Sequence, residues 1–383
     1  MTIVFFSNFL NHHQALLSDE LYKITNKNYY FVALSEMPDS FKRNGYPDYD
    51  DRPYLLKAYE DERNWQKAQE LAVDADVALF GASSLHFEII RAQAGKLSFE
   101  VGERWLKRGW INLFSPRLLK NLWYYHSKGW RKKPLYKLCS SAYCAGDQYL
   151  LQSFKGRCYK WGYFTKVEKE YDNKARNIDT SSLETPQLMW CARFLKWKHP
   201  EFPVLLAARL KAKGYHFMLD MYGSGEEYEN IITLKNKLGV NDCVHLCGNL
   251  PNDEILNEMR RHTIFLFTSD RNEGWGAVLN EAMANGCVPV AADAIGSVPF
   301  LVQDEKNGMI FKSGNLDSLE EKVLVLLNNR QRLIEMATAA VETMNLWSPH
   351  VAADRLIQLI QALHNGKCTP YEYGPCSIAL PMV

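Results

Sequence analysis

Short apolar runs recur along this chain, and each is followed by a longer stretch whose apolar residues are three or four positions apart. The first example is the apolar run 2–7, after which Leu16, Leu17 and Leu21 have helical spacing. Strands that alternate with helices are typical of parallel sheets, because a parallel strand needs a crossover connection to return. The sequence therefore predicts an α/β fold.

The alternation forms two cycles. Strands are predicted in the first cycle at 2–7, 29–34, 76–81, 97–101 and 139–144, and in the second near 187 and at 216–222, 243–247, 263–268 and 287–292. Helices are predicted in the second cycle at 203–213, 227–238, 253–261, 277–285, 316–345 and 348–364. Two consecutive Rossmann-like halves place a ligand cleft between them, outside the carboxyl ends of both sheets.

The polar segment 166–186, which ends at Pro186, is expected to link a domain over 1–165 to a domain over 187–345. The helix expected over 346–365 would be free to pack back across the junction. The tail 366–383 is rich in Pro and Gly, and we expect it to be partly mobile.

Composition narrows the function classes. The chain has 383 residues with 45 Lys and Arg against 44 Asp and Glu, a formal net charge of +1, so it lacks the basic excess of many nucleic-acid-binding proteins. Its nine cysteines form no C-x-x-C pair, which favours reduced thiols over a disulfide framework. The first residues make a poor signal peptide, and no run of 18 apolar residues occurs. A cytoplasmic enzyme is expected, without nucleic acid as a partner.

The segment 268–293 carries the residues best suited to chemistry. A strand ends at Ser269, a loop with Glu273 and two glycines follows, and Glu281 lies early in the next helix. Glycines at a helix start let backbone N–H groups approach an anionic ligand, which the helix dipole also attracts. Ionised carboxylates are strong acceptors for the hydroxyls of a sugar or ribose.

This segment resembles the donor-site signature of the GT-B retaining glycosyltransferases, in particular glycosyltransferase family 4, in which two Glu residues are separated by seven positions. Other parts of the pattern occur in the expected order. Arg193 and Lys198 match an Arg-x4-Lys pair, the stretch 222–228 matches a Gly-x-Gly turn, and 248–250 matches a loop along the nucleobase. The resemblance covers about 187–311 well. It implies two Rossmann-like domains facing each other across a cleft, with the C-terminal helix packed over the junction.

The resemblance also implies roles for these residues. Arg193 and Lys198 would hold the nucleotide diphosphate and neutralise the leaving group, while Glu281 would bind the ribose and Glu273 the donor sugar. The other donor-site candidates are Gly223, Gly248, Asn249, Leu250, Gly274, Trp275 and Gly276. Members of the family are thought to act without a metal ion or other cofactor, and the leaving diphosphate itself can take the acceptor proton.

The acceptor half matches less closely, since Ser7–His13 replaces the family's glycine-rich loop and its N-terminal-domain His has no clear counterpart. His12 is a candidate because histidine titrates near neutral pH, and Glu103 is a candidate acceptor-side base. His12 could instead be a surface residue behind Asn11, a good helix N-cap. Likewise, the paired Glu and cationic residues of the donor half could be ordinary surface groups.

Residues 104–137 contain ten Lys and Arg, no Asp or Glu, and eight aromatic residues. Cations beside Trp and Tyr suit contact with an anionic membrane. Single-stranded nucleic acid would also fit such a surface, and a third alternative is that most of the aromatic rings lie in the core.

Together these features predict a retaining glycosyltransferase that moves a sugar from a UDP- or GDP-sugar to a glycan or lipid-linked glycan acceptor in surface polysaccharide biosynthesis. Two alternatives remain at this point. A nucleotide-sugar epimerase of the same architecture would need no acceptor, and a scaffold protein would bind nucleotide sugars without catalysis.

Overall fold

The computed structural model of the protein describes residues 1–39, 47–167 and 185–382. The chain divides into two compact units, one of Met1–Lys166 with Leu346–Val383 and the other of Val167–Asn345. Most of the linker predicted over 166–186 lies outside the described residues. Each unit contains one sheet in which every paired strand is parallel, with helices between the strands. The predicted α/β class is confirmed.

The described residues of the first unit form seven strands. They are β1 (Ile3–Ser7), β2 (Tyr29–Ala33), β3 (Leu55–Lys57), β4 (Val77–Phe80), β5 (Ser98–Gly102), β6 (Leu135–Cys139) and β7 (Cys158–Lys160). Its described helices are α1 (His12–Ile24), α2 (Glu62–Asp74), α3 (Leu85–Ala94), α4 (Pro116–His126), α5 (Cys144–Leu150) and, near the C-terminus, α13 (Pro349–His364). A 3-10 helix, Gly109–Phe114, precedes α4.

The strand order in this sheet is β3-β2-β1-β4-β5-β6-β7. Every residue of β1 is buried, as its continuous apolar sequence requires for a strand covered on both faces. The order reverses between β1 and β4, and open α/β sheets bind ligands at the carboxyl ends of such neighbouring strands. Ser7 and Gly81 lie at these ends, and a Cβ on Gly81 would come within 2.8 Å of the Ser7 hydroxyl oxygen.

The C-terminal segment returns to the first unit. Ser348 caps α13 by accepting a hydrogen bond from the backbone N–H of Val351 at 3.4 Å, and His350 Nδ1 lies 3.0 Å from Glu20 on α1. The tail then pairs with the edge strand β7, where the Lys160 N–H donates to the Ser377 carbonyl at 2.7 Å. Residues 376–379 thus make backbone hydrogen bonds with the edge of the sheet, and the expectation that the tail 366–383 is partly mobile stays a prediction.

The second unit has six strands over the part of it that the structure describes. They are β8 (Gln187–Cys191), β9 (Met218–Tyr222), β10 (Val244–Gly248), β11 (Ile264–Phe267), β12 (Val288–Ala292) and β13 (Met309–Phe311). The helices are α6 (Glu201–Ala212), α7 (Tyr228–Leu238), α8 (Asn252–Arg261), α9 (Val278–Ala284), α10 (Val298–Leu301), α11 (Leu316–Leu327) and α12 (Arg330–Leu346). The strand order is β10-β9-β8-β11-β12-β13, so the reversal in this sheet lies between β8 and β11.

Two predicted elements differ from the structure. The single helix expected over 316–345 is interrupted after Leu327, because the Asn329 side chain accepts a hydrogen bond from the Arg332 N–H at 3.0 Å and caps a second helix, α12. The strand expected over 139–144 lies earlier, as β6, since the polar Ser140 and Ser141 follow the strand rather than belong to it. In the described part of the chain, none of the helices has the length and apolar character needed to span a bilayer.

Candidate functional site

Glu273 and Lys198 form an ion pair within the second unit. Glu273 follows β11 and Lys198 ends a short 3-10 helix after β8, so both lie beyond the strands where the sheet order reverses. The Lys198 ammonium donates to Glu273 Oε2, and the Ser269 hydroxyl donates to the same oxygen at 3.1 Å. Both charged side chains are buried. A buried cation and carboxylate that neutralise each other can exchange this contact for contacts with an anionic, hydroxyl-bearing ligand.

Thr268 fixes the backbone beside this pair. The Trp190 indole N–H donates to Thr268 Oγ1 at 2.9 Å, and the threonine hydroxyl donates to the Lys198 carbonyl at 2.8 Å. Trp190 lies on β8 and Thr268 directly follows β11, so the two hydrogen bonds join the neighbouring strands to the Lys198 segment. The ion pair is therefore held by buried side chains of the sheet rather than by a surface loop alone.

Close packing explains the residue types of the Gly274–Gly276 loop. The Trp275 indole is completely buried and donates to Asn280 Oδ1 at 2.9 Å, while the Trp275 carbonyl accepts from the Ser297 hydroxyl at 2.6 Å. Gly276 has φ +83°, and a Cβ there would come within 2.4 Å of the Phe267 ring. A side chain at position 276 would thus displace the loop that carries Glu273.

Glu281 lies on α9, eight positions after Glu273. Burial raises the pKa of Glu281 from 4.5 to about 7, although the Asn252 side chain acts in the opposite direction. The same environment raises the pKa of Cys191 to about 12, through burial first and then through the Glu281 charge, which Lys198 partly offsets. Glu281 thus lies in an electrostatic environment that it shares with Cys191, at the carboxyl end of β8.

Two glycines of the predicted Gly-x-Gly turn support the segment around Arg193. Gly223 has φ +128°, and a Cβ there would come within 2.0 Å of the Ala192 carbonyl oxygen. A Cβ on Gly225 would come within 2.5 Å of the Phe194 carbonyl oxygen. The Phe194 N–H donates to the Ser224 carbonyl at 2.8 Å. The glycines therefore allow the turn to lie directly against the backbone on either side of Arg193.

Arg193 itself is exposed, and among the described residues its guanidinium forms no ion pair. The predicted nucleobase loop is also exposed at Asn249, whose amide donates to the Ser224 hydroxyl at 2.8 Å. Gly248 ends β10 with φ +70°, and its backbone N–H lies in the strand that pairs with β9. Leu250 follows and is half-buried. The structure thus groups Arg193 with the Gly-x-Gly turn and the loop 248–250 through Ser224.

The acceptor-side candidates lie in the first unit, around a cavity of about 500 Å³ at the carboxyl ends of β1, β4, β5 and β6. We call it the unit-1 cavity. Glu103 lines it, accepts from the Tyr163 hydroxyl at 2.8 Å and pairs with Lys107 at 3.2 Å. The neighbouring His13 lines the cavity, whereas His12 is not among the lining residues. Burial, and then the proximity of His12, lowers the pKa of His13 to about 3, so its ring is neutral near pH 7.

Sequence reasoning missed three charged residues near this cavity. Lys137 on β6 is completely buried and donates to Glu100 on β5 at 2.6 Å. Burial acts to lower the pKa of Lys137, but Glu100, together with Cys144 and Cys139, raises it above the ordinary value. Burial raises the pKa of Glu88 on α3 to about 7, and Glu100 adds to that rise. For Lys137 and Glu100, the sequence signal was a single charged residue within each of two apolar strands. Charged residues in such strands are buried only when they are paired, so the two could have been expected to form an ion pair.

No group of three or more His, Cys, Asp or Glu side chains within 1–39, 47–167 and 185–382 is arranged to hold a metal ion.

Comparison with known proteins shows that part of the second unit is similar to a sequence family. Residues 172–343 match the family model of the glycosyl transferases group 1. Over 121 residues the chain is 34% identical to an uncharacterized glycosyltransferase of Methanocaldococcus jannaschii. This match covers 31% of this chain and 33% of that protein. Over 165 residues it is 27% identical to a GDP-mannose-dependent alpha-(1-6)-phosphatidylinositol monomannoside mannosyltransferase of Mycobacterium tuberculosis. This match covers 42% of this chain and 43% of that protein. The chain thus matches between a third and half of each relative.

A solved structure decides the fold. The protein is similar to HepE of Anabaena in complex with UDP, with a TM-score of 0.67 and 16% identity over 95% of this chain and 100% of that one. The fold is GT-B. The two parallel sheets predicted from sequence are therefore those of a GT-B protein, and the group 1 match falls on the half of the GT-B fold that holds Lys198, Glu273 and Glu281.

Proposed function

We propose that this protein is a retaining glycosyltransferase that moves a sugar from a UDP- or GDP-sugar to a glycan or lipid-linked glycan acceptor in surface polysaccharide biosynthesis. The observation that carries the proposal is the buried pair of Lys198 and Glu273 at the strand reversal of the second unit. This position is the usual ligand site of an open α/β sheet, and it lies within the part of the chain that matches the glycosyl transferases group 1.

The chemistry of the pair suits a nucleotide sugar. Lys198 would bind the diphosphate, and the exposed Arg193 would add a second positive charge where negative charge develops on the leaving group. Glu273, released from Lys198, would accept hydrogen bonds from the donor-sugar hydroxyls, and Glu281 would bind the ribose hydroxyls. Gly223, the loop 248–250 and the backbone of Gly274–Gly276 would complete the donor site around them.

The transfer step would break the bond between the anomeric carbon and the diphosphate oxygen and form a bond from that carbon to an acceptor oxygen on the same face. The acceptor proton would pass to the departing diphosphate. The two cations of the site would supply the charge that a metal ion supplies in other transferases, so we propose that no metal ion or other cofactor takes part. His12 and Glu103 remain candidates on the acceptor side.

Exposed apolar residues of the first unit support the proposed acceptor and its location. The 3-10 helix Gly109–Phe114 exposes Trp110, Ile111 and Phe114 to 62%, 73% and 83% of their surfaces, and all three lie within the basic segment 104–137. Large exposed apolar groups among cations suit the interface of an anionic membrane. Contact of this face with the inner surface of the cell membrane would bring the protein to a lipid-linked acceptor. The name of the mycobacterial relative also refers to a lipid-linked sugar.

Nucleotide binding tests the donor site. Thermal unfolding of the wild type is measured with UDP, GDP, ADP, CMP and dTDP, beside Glu281→Gln and the control Glu321→Gln, an exposed glutamate on α11. A ligand at a hundred times its dissociation constant stabilises a protein by about 2.7 kcal/mol. We expect UDP or GDP to stabilise the wild type and the control but not Glu281→Gln. Equal stabilisation of all three proteins, or none by any nucleotide, would contradict the proposed site.

A further inference from the structure

The charges around the unit-1 cavity do not balance. Five lining residues carry a formal charge near neutral pH, and four of them have a partner. Glu100 pairs with Lys137, Glu103 pairs with Lys107 outside the lining, and Arg104 pairs with Asp147 at 3.1 Å. Arg117, on the first turn of α4, lines the cavity, is exposed and has no ion-pair partner among the described residues.

The start of α4 adds to the positive potential at Arg117. Ser115 precedes the helix and lines the cavity, yet its side chain makes no capping hydrogen bond, and Pro116 occupies the first helical position. The next N–H groups of a helix lack partners within it, and the helix dipole gives this end a partial positive charge. Two lining residues, Gln14 on α1 and Ser140 directly after β6, also carry buried polar atoms without a hydrogen-bond partner among the described residues.

Glu88 is a carboxyl group that interacts electrostatically with Arg117. It is not a lining residue, although the Arg117 charge lowers the Glu88 pKa against the larger effects of burial and of Glu100. The Ser84 hydroxyl donates to the Glu88 carboxyl and holds it on α3. Because the Arg117 side chain is exposed and forms no ion pair among the described residues, its guanidinium is available to a ligand from solution.

We infer that the unit-1 cavity binds a hydroxyl-rich ligand that carries an oxyanion, a carboxylate or a phosphate, and that Arg117 and the start of α4 bind this anion. The side-chain amides of Asn8, Asn11, Asn112 and Asn121 line the same cavity and suit the hydroxyls of a sugar. The inference rests on the proposed function in that this ligand is the glycan acceptor, which would then be an acidic or phosphorylated glycan rather than a neutral one.

Direct binding measurements test this inference. Glucose, glucuronate, glucose 6-phosphate and inorganic phosphate are titrated at constant ionic strength into the wild type, into Arg117→Gln and into Lys120→Gln. Lys120 is an exposed cation on the same helix that does not line the cavity, so it controls for general electrostatic attraction. We expect the charged sugars to bind more tightly than glucose, and Arg117→Gln to weaken them about tenfold, as loss of one charge-assisted hydrogen bond predicts.

The arms of the experiment separate the sources of the anion. Preference for glucuronate indicates an acidic sugar, preference for glucose 6-phosphate indicates a phosphorylated one, and both support the inference. Binding of inorganic phosphate alone, equal affinity for glucose and the charged sugars, or equal losses in Arg117→Gln and Lys120→Gln would overturn it. Arg117 lies outside the donor site, so nucleotide binding by Arg117→Gln should match the wild type. If the sugar titrations fail, the proposed donor site is unaffected. If the nucleotide-binding test fails, the unit-1 cavity is still to be tested by the sugar titrations.

Discussion

The Lys198 ammonium and the Glu273 carboxylate neutralise each other inside the second unit, although they are separated by 75 positions in the chain. Each side chain is about one-tenth exposed, at 10% and 11%. Removing one partner would leave an uncompensated charge in a site with little water, whereas removing both leaves none. This difference separates the structural role of the pair from its proposed role in catalysis.

Lys198→Met and Glu273→Gln should each lower the free energy of unfolding by about 3 kcal/mol, because each leaves one buried charge unpaired. The double variant should recover most of this loss. Its transferase activity should nevertheless stay reduced by about a hundredfold or more, as expected when a group that stabilises the leaving charge is lost. Denaturant unfolding and initial rates measured on the same preparations check both parts. Recovery of activity together with stability would assign the pair a structural role only.

The raised pKa of Glu281 makes stability depend on pH. The folded protein holds this proton up to about pH 7, whereas the unfolded chain releases it near pH 4.5, so the free energy of unfolding should fall as pH rises between these values. Glu281→Gln removes this contribution and should flatten the fall. Denaturant unfolding at about pH 5 and about pH 8 measures it, with Glu321→Gln as the control. An unchanged pH dependence in Glu281→Gln would show that the carboxyl titrates normally.

The donor-site candidates could be found from the sequence because their chemistry is local. Glu273 and Glu281 lie on one strand–loop–helix segment. Glycines in the loop of this segment indicate a backbone conformation that other residues rarely adopt, and Gly276 has such a conformation, with a positive φ. Apolar runs likewise located β1 and β11 to within a residue or two. These elements are determined mainly by neighbouring residues, so pattern alone is informative.

The partners of buried polar groups could not be found in this way. Lys137 breaks the apolar run of β6, and its partner Glu100 lies 37 positions away on another strand, so the run was placed too late in the chain. Nothing local indicates that Thr268 joins Trp190 to the Lys198 segment. Such contacts depend on strand order, which the alternation of strands and helices leaves open.

Gly223→Ala tests the contact that supports the Arg193 segment. A methyl group at position 223 would overlap the Ala192 carbonyl at 2.0 Å in addition to straining a backbone with φ +128°. The cost should be about 2 kcal/mol or more in the free energy of unfolding. Gly239→Ala is the matched control, since φ is +64° there with open space around the Cβ, and it should cost about 1 kcal/mol. Equal costs for the two variants would mean that the turn can shift away from Ala192.

The exposed face of the 3-10 helix Gly109–Phe114 predicts membrane binding. Vesicles containing anionic lipid should sediment the wild type, and the double variant Ile111→Ser with Phe114→Ser should bind at least tenfold more weakly, because each side chain would contribute about 1.5 kcal/mol when inserted. Leu380→Ser changes an exposed apolar residue elsewhere in the first unit and should bind like the wild type. Neutral vesicles should bind less protein than anionic ones. Equal binding by all three proteins would exclude this face.

The most direct test of the account follows the sugar itself. The nucleotide sugar whose nucleotide stabilises the protein is incubated with candidate glycan acceptors, and nuclear magnetic resonance identifies the products and their anomeric configuration. We predict release of the nucleoside diphosphate and a glycoside with the configuration of the donor, both lost in the double variant Lys198→Met with Glu273→Gln. An inverted glycoside, or transfer that persists in the double variant, would contradict the account.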